Sequence, residues 1–226
     1  MLRVRPVIST SDLAGGAGFL RALGLSAAED PAPDGSYAVF DAGSGRLALR
    51  SCTPGGPEDG TTALAFEVGD VREFARRTSE AGTCVELSGE HGLVARVIAP
   101  DGTSLPAETG PRETGSPASP LVVLALWQTP DVASAVRVLK DMGARPRSSS
   151  DAGTRHHFST KNGGFVAVHH AERPAMEAAF EYDGDVRDLS ANLTAAGFGP
   201  VVAGESHEQS LRVRAPWGAE VRINER

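Results

Sequence analysis

Four of the six histidines stand in two adjacent pairs, His156–His157 and His169–His170, flanking a short stretch that contains Gly163 and Gly164. Imidazole is the commonest metal ligand, and a carboxylate beside two imidazoles completes the smallest donor set that holds a divalent cation. On a strand the members of each pair point to opposite faces, so one from each pair can share a face. His157, His169 and Glu177 are therefore one candidate metal set, and Glu177 or a hairpin histidine is a candidate general base. No HExxH or His-x3-His spacing organises these residues. Nucleophilic and phosphate-binding chemistry finds less support: the chain has no GxSxG, Walker A or GxGxxG motif. The glycines of AGGAG (Ala14 to Gly18) interrupt a helix, where they favour close packing on a sheet. Cys52 and Cys84 form no CxxC pair and are expected to be reduced thiols.

The elements that must position these residues follow a repeated pattern. Leu2 to Thr10 alternates as a strand, and Ser11 is placed to cap a helix that stops at Gly24. Tyr37 to Asp41 and Arg46 to Ser51 are predicted strands around AGSG, a turn whose glycines suit positive φ. A strand at Thr62 to Val68, a helix at Val71 to Ala81 and strands near Val85, at Leu93 to Ile98 and at Ser104 to Ala107 complete the first half. The second half repeats that order. Its strand at Leu121 to Gln128 leads to a helix at Val132 to Met142, and a hairpin joins Arg155 to Ser159 with Phe165 to His169. A strand at Glu177 to Tyr182, a helix at Val186 to Ala196 and strands at Leu211 to Arg214 and Glu220 to Asn224 follow.

The order is repeated because the sequence is. FEVGDVREFARRTSEAG (Phe66 to Gly82) returns as FEYDGDVRDLSANLTAAG (Phe180 to Gly197), SDLAGGAGFLRALG (Ser11 to Gly24) as PDVASAVRVLKDMG (Pro130 to Gly143), and APDG (Ala99 to Gly102) as APWG (Ala215 to Gly218). A single duplication of this length argues for a pair of domains and against a solenoid. The expected division is a first domain at 1–108, a Gly/Pro/Ser-rich linker at 109–119 and a second domain at 120–226. A net charge of -7 with interspersed signs, and aromatics at 5%, argue against nucleic-acid partners. No stretch approaches the ~20 apolar residues of a membrane span. The arginines of MLRVRPVISTSDL interrupt any export signal, so a cytoplasmic location is expected. His91 and His207 fall in loop-like contexts.

The strand-to-helix junction VISTSDL, the junctions FEVGDV and FEYDGDV, and the turns APDGTSL and APWGAEV together resemble the vicinal oxygen chelate (VOC) superfamily. This is the fold of glyoxalases, bleomycin-resistance proteins and extradiol dioxygenases. The resemblance covers essentially the whole chain. It implies an α+β fold of tandem duplicated domains, each built of two βαβββ modules, with an open cup-like mixed sheet and helices outside. Its enzymes hold a divalent metal in the cup through His, Glu or Gln.

Carried onto this chain, the resemblance places Arg5, Ala63, Pro106 and a residue near Leu49 at the ligand positions of the first half. Leu124, a residue near Val168, Glu177 and Arg222 fall at those of the second. Glu177 alone is a donor, and an ion pair of Glu177 with Arg222 is expected in the space of the metal. No cofactor is expected; a divalent metal at His157, His169 and Glu177 is the alternative. Alternation from Arg5 directs Arg3, Val7, Ala63, Ala65 and Glu67 into the first cup. It directs Leu124, Leu126, Gln128, Glu177, Glu181, Glu220 and Arg222 into the second. Arg5, Glu67, Leu124, Glu177 and Arg222 are accordingly the candidate ligand-binding residues. Trp127 is expected to pack under a helix, while Trp217 is a candidate for stacking on a flat ligand.

The function implied first is a metal-independent binder of a small organic molecule, similar to the drug-sequestering or self-resistance members. The alternatives are an enzyme of the same fold (dioxygenase, lyase or isomerase) with a displaced metal site or a metal-free general base, and a scaffold. With both repeats in one chain, a monomeric pseudo-dimer is expected in place of a homodimer.

Overall fold

The computed structural model describes residues 1–28, 34–89, 92–113, 119–204 and 209–226. His91, His207 and part of the expected linker lie outside the described residues. The first repeat runs β1 (Leu2–Val4), β2 (Val7–Thr10), α1 (Leu13–Ala22), β3 (Ser26–Ala27), β4 (Tyr37–Asp41), β5 (Arg46–Ser51), β6 (Thr62–Ala63), β7 (Phe66–Val68), α2 (Val71–Ala81), β8 (Cys84–Ser88), β9 (Val94–Ile98) and β10 (Ser104–Thr109). The second runs β11 (Leu121–Thr129), α3 (Val132–Asp141), β12 (Arg145–Ser149), β13 (Arg155–Ser159), β14 (Phe165–His170), β15 (Ala175–Tyr182), α4 (Val186–Ala195), β16 (Val201–Ala203), β17 (Ser210–Arg214) and β18 (Glu220–Glu225). The fold is α+β, as expected.

The repeated sequence motifs correspond to repeated local structure. Each helix is opened by an aspartate, Asp12, Asp70, Asp131 or Asp185, whose carboxylate accepts from a backbone amide of the first turn. Ser11, the expected cap of the first helix, instead donates to Asp59, and Asp12 takes the capping role. The APDG and APWG turns close alike, with Gly102 donating to the Ala99 carbonyl and Gly218 to that of Ala215, both at 2.9 Å. Both glycines hold positive φ, 84° and 86°, which a side chain would oppose.

The two repeats differ in sheet continuity. In the second, β11 and β15 run uninterrupted through one open sheet of order β12-β13-β14-β11-β15-β18-β17-β16. In the first, the equivalent strands are broken, giving two sheets of order β1-β7-β10-β9-β8 and β3-β4-β5-β2-β6. Pro6, at one break, has no N–H for a ladder. Leu64 and Ala65 form the other break, and the Ala65 carbonyl accepts the Arg5 amide at 2.9 Å.

Two compact units result, and each draws on both repeats: Met1–Pro6 with Ala63–Glu113 and Ala125–Glu177, and Val7–Thr62 with Thr114–Leu124 and Ala178–Arg226. The first unit buries Phe66, Val68, Phe74 and Val97 around α2, and Trp127, Leu139, Phe158, Val166 and Val168 around α3. Burial of such side chains contributes about 1.5–3 kcal/mol each. The second unit is organised by Phe19, which meets Phe198 and Trp217 edge-on at 5.0 and 5.3 Å. Trp217 is therefore held within this core and is not free to stack on a ligand. Trp127 is buried, as alternation predicts. No helix among the described residues is long and apolar enough to cross a membrane.

Candidate functional site

Two clusters of charge stand out in the first unit, one closed and one open. The closed cluster grows from strand register. Arg3 of β1 lies opposite Glu67 of β7, and Glu108 of β10 lies beside Glu67 on the other side. Two neighbouring carboxylates would repel, but Arg5 bridges them, with Nη1 donating to Glu67 Oε1 at 3.4 Å and Nη2 to Glu108 Oε2. Arg3 Nη1 donates to the other oxygen of Glu67 at 2.8 Å. The rest of its guanidinium is taken up by carbonyls: Nε by Asn162, Nη1 also by Pro111 and Nη2 by Arg112. Gly110 lets the backbone pass over the cluster, because a Cβ there would stand 2.6 Å from the Glu67 Cβ.

Arg3, Arg5 and Glu67 are 3%, 6% and 1% exposed. The sequence reading places them on an open cup wall; the structure places them in a buried network. Such a network is balanced within itself, which is how a buried charge is tolerated.

The open cluster lies on β11 to β15. Pairing of Arg155 with His169, His157 with Ala167 and Ser159 with Phe165 puts these side chains on one face. The opposite face carries Phe158, Val166 and Val168, which are buried toward α3. The Ala171 amide donates to the Thr129 carbonyl, just as Cys52 donates to Thr10 where Thr10 pairs with Ser51. By that correspondence Gln128 stands beside His169. Gln128 Nε2 in turn donates to Glu177 Oε1 at 2.9 Å. The rings of His157 and His169 are 5.8 Å apart, and the Arg147 guanidinium lies 3.8 Å above the Phe165 ring. Arg147 reaches it from an irregularity in the β12–β13 pairing between Pro146 and Ser148. The three histidine and phenylalanine rings are half-buried, and Arg145, Arg147 and Arg155 are exposed.

The face thus gathers His157, His169, Gln128 and Glu177 with Arg147 and Phe165. Leu124, the other candidate on β11, is buried. Arg222 is exposed on β18 with Arg212 opposite it, and the hydrogen bond of Glu177 goes to Gln128. Arg147 and Phe165 escape sequence reasoning, because RPRSS alternates in neither hydropathy nor burial. Of the thiols, Cys84 is exposed and Cys52 half-buried; burial and the Asp59 carboxylate push the Cys52 thiol up, away from a reactive thiolate.

The chain aligns with solved structures over 99% of its length. A homoprotocatechuate 2,3-dioxygenase from Arthrobacter globiformis matches at 18% identity and a TM-score of 0.67, over 78% of its own chain. A 2,3-dioxygenase from Pseudomonas sp. KL28 matches at 14% identity and 0.67, over 91% of its chain. A Mn(II)-bound glyoxalase from Novosphingobium aromaticivorans matches at 18% identity and 0.62, over 80% of its chain. No family model and no curated protein sequence matches the chain. The chain has the vicinal oxygen chelate fold.

The metal that this fold implies does not fit the residues present. Arg5, Ala63, Pro106, Leu124 and Arg222 offer no donor at the positions that the resemblance assigns. Among the described residues, no group of three or more His, Cys, Asp and Glu side chains is arranged to hold an ion. His157 and His169 do come together, but Glu177 does not close a set with them.

Proposed function

We propose that this chain binds a small organic molecule on the open face of β11 to β15 without a metal. One observation carries the reading: strand pairing gathers His157, Phe165 and His169 on one half-buried face beside Gln128, with the Arg147 guanidinium over the Phe165 ring, while Arg5, Ala63, Pro106, Leu124 and Arg222 stand at ligand positions of the fold and cannot ligate. Binding sites combine an apolar platform with a few convergent polar groups, and Phe165 with its neighbours has that composition. The first repeat is poorly suited to the task because Arg3, Arg5 and Glu67 satisfy one another.

The reading is tested by screening ring-bearing small molecules with ligand-observed NMR against the wild type and against Phe165→Ala with His169→Ala. Binders whose signals vanish in the double variant support it. Binders indifferent to both substitutions place the site elsewhere and defeat it. A second reading draws on the neighbours, which include dioxygenases and a glyoxalase. Here a metal-free catalyst would use His157 or His169 as general base. Product analysis on each binder decides between them: turnover selects the enzyme, and unchanged ligand selects the binder.

A further inference from the structure

We infer that the outward face of β16, β17 and β18, in the second compact unit, binds a small organic phosphomonoester whose phosphate is held across Arg212 and Arg222, whether or not the face of β11 to β15 binds anything. Strand register forms the site. Val201 of β16 lies opposite Arg212 of β17, which lies opposite Arg222 of β18. These three share the outward face, because Leu211, Val213, Val221 and Ile223 alternate with them and are buried toward α4. Arg214, two residues beyond Arg212, shares it too and stands opposite Glu220. All three arginines are exposed. Glu220 Oε1 is 4.0 Å from Arg212 Nη1, and among the described residues the guanidinium groups of Arg214 and Arg222 have no carboxylate or hydrogen-bond partner. Glu181, one row on beside Asn224, is buried.

The first repeat supplies a comparison within the same chain. Aligning the turns APDG and APWG sets Arg96 of β9 against Arg212 and Pro106 of β10 against Arg222. Arg96 stands opposite Glu86 of β8 on one side and Pro106 on the other. That row is balanced, whereas the row of Val201, Arg212 and Arg222 carries two positive charges and no negative one. The neighbouring rows change in the same direction: Ile98 corresponds to Arg214 and Glu108 to Asn224, with Glu220 in place of Ser104 as the one acid gained. Like charges directly opposite on neighbouring strands destabilise a sheet, and the first repeat shows that this fold does not require them. An anion bridging the two guanidinium groups removes the repulsion and gains charge-assisted hydrogen bonds.

The charge count calls for a dianion. Arg212, Arg214 and Arg222, offset by Glu220, leave the exposed face doubly positive on a chain whose net charge is -7. A phosphomonoester carries about −1.5 to −2 at pH 7, and its oxygens match the fork of N–H groups that a guanidinium presents. The organic part lies on Val201, which is beside Arg212 in the row and, at 62%, is the most exposed large hydrophobic side chain among the described residues. Three strands span roughly 10 Å, room for one phosphate and a small body and too little for a polyanion.

Titration of phenyl phosphate, benzoate and inorganic phosphate into the full chain, followed through the arginine Nε–Hε NMR signals, tests this. Phenyl phosphate is expected to shift the Arg212 and Arg222 signals saturably and to bind about tenfold tighter than benzoate, with inorganic phosphate also weaker. Arg222→Gln should weaken phenyl phosphate at least about tenfold, the scale of a lost charge-assisted hydrogen bond. Val201→Glu, which rebuilds the balanced row of the first repeat, should abolish binding. Both variants should keep or raise the melting temperature, since each relieves the opposition of two arginines. A melting temperature lowered in both would show that the row is structural and overturn the inference. So would phenyl phosphate that leaves the two signals unmoved at millimolar concentration, benzoate or inorganic phosphate that binds as tightly, or binding that survives both substitutions.

Discussion

Two arginine clusters in one compact unit meet their charge in opposite ways. Arg3 and Arg5 are buried, matched by Glu67 and Glu108 and capped by the carbonyls of Pro111 and Arg112. Arg145, Arg147 and Arg155 stand on strands without a single acid, and the guanidinium of Arg147 rests on a ring. The difference is one of solvation. A buried guanidinium must find its counterion inside the protein, whereas an exposed one is also stabilised by water. Arginine content alone therefore does not mark a binding wall.

The largest effect should come from unbalancing the closed cluster. Glu67→Ala leaves Arg3 and Arg5 buried without their shared carboxylate, and a loss of about 3–5 kcal/mol is expected in urea denaturation. Should that variant fail to fold, Glu67→Ala combined with Arg3→Met and Arg5→Met should recover much of the loss, since an apolar replacement of a buried ion network is commonly tolerated. Next is Gly110→Ala, which presses a methyl group against Glu67; about 1–3 kcal/mol is expected by the same assay. Neither change should alter ligand binding if the two clusters are independent.

On the open face the order reverses. Arg147→Gln should weaken ligand binding on this face, yet shift stability by no more than about 1 kcal/mol, the scale of an exposed cation–π contact. A destabilisation as large as that of Glu67→Ala would show that Arg147 is structural. Glu177→Ala should stay within about 0.5 kcal/mol in stability, since Glu177 is exposed and its partner is Gln128.

The smallest effect is a pH dependence remote from both clusters. Hydrogen bonds from Arg76 and Arg77 hold Glu73 on α2 at about 2, below its ordinary 4.5. A depressed carboxylate stabilises the folded state fully above the unfolded value, and that contribution is lost as pH falls through the folded one. The acid limb between about pH 4.5 and 2 should therefore flatten in Glu73→Gln, by an amount that salt reduces because the group is exposed. Melting curves across that range provide the check.

Much of the fold was legible because its signals are local. The doubled junctions FEVGD and FEYDGD, the turns APDG and APWG, and the period-two strands of the hairpins each specify their own conformation. β12 and β16 were not legible, since Arg145 to Ser149 is exposed throughout and Val201–Ala203 is short and mostly exposed, so neither carries an apolar pattern. Glu108 and Thr109 extend β10 beyond the expected strand end at Ala107, and Thr109 enters the expected linker, because β7 supplies a parallel partner. At the sites, alternation put Arg3, Arg5 and Glu67 on one face but gave no sign that Gly110 to Arg112 would cover them. Arg147 was invisible because its partner, Phe165, is two strands away in the sheet order, and an irregular pairing delivers it.

Metal independence is the central claim, and titration of a ring-bearing binder found in the NMR screen into protein purified without a histidine tag tests it most directly. The same titration is repeated after exhaustive dialysis against EDTA and again after returning Mn(II) or Fe(II). The account predicts the same Kd, within about twofold, in all three states. Loss of binding on chelation, with stoichiometric recovery when the metal returns, would contradict it.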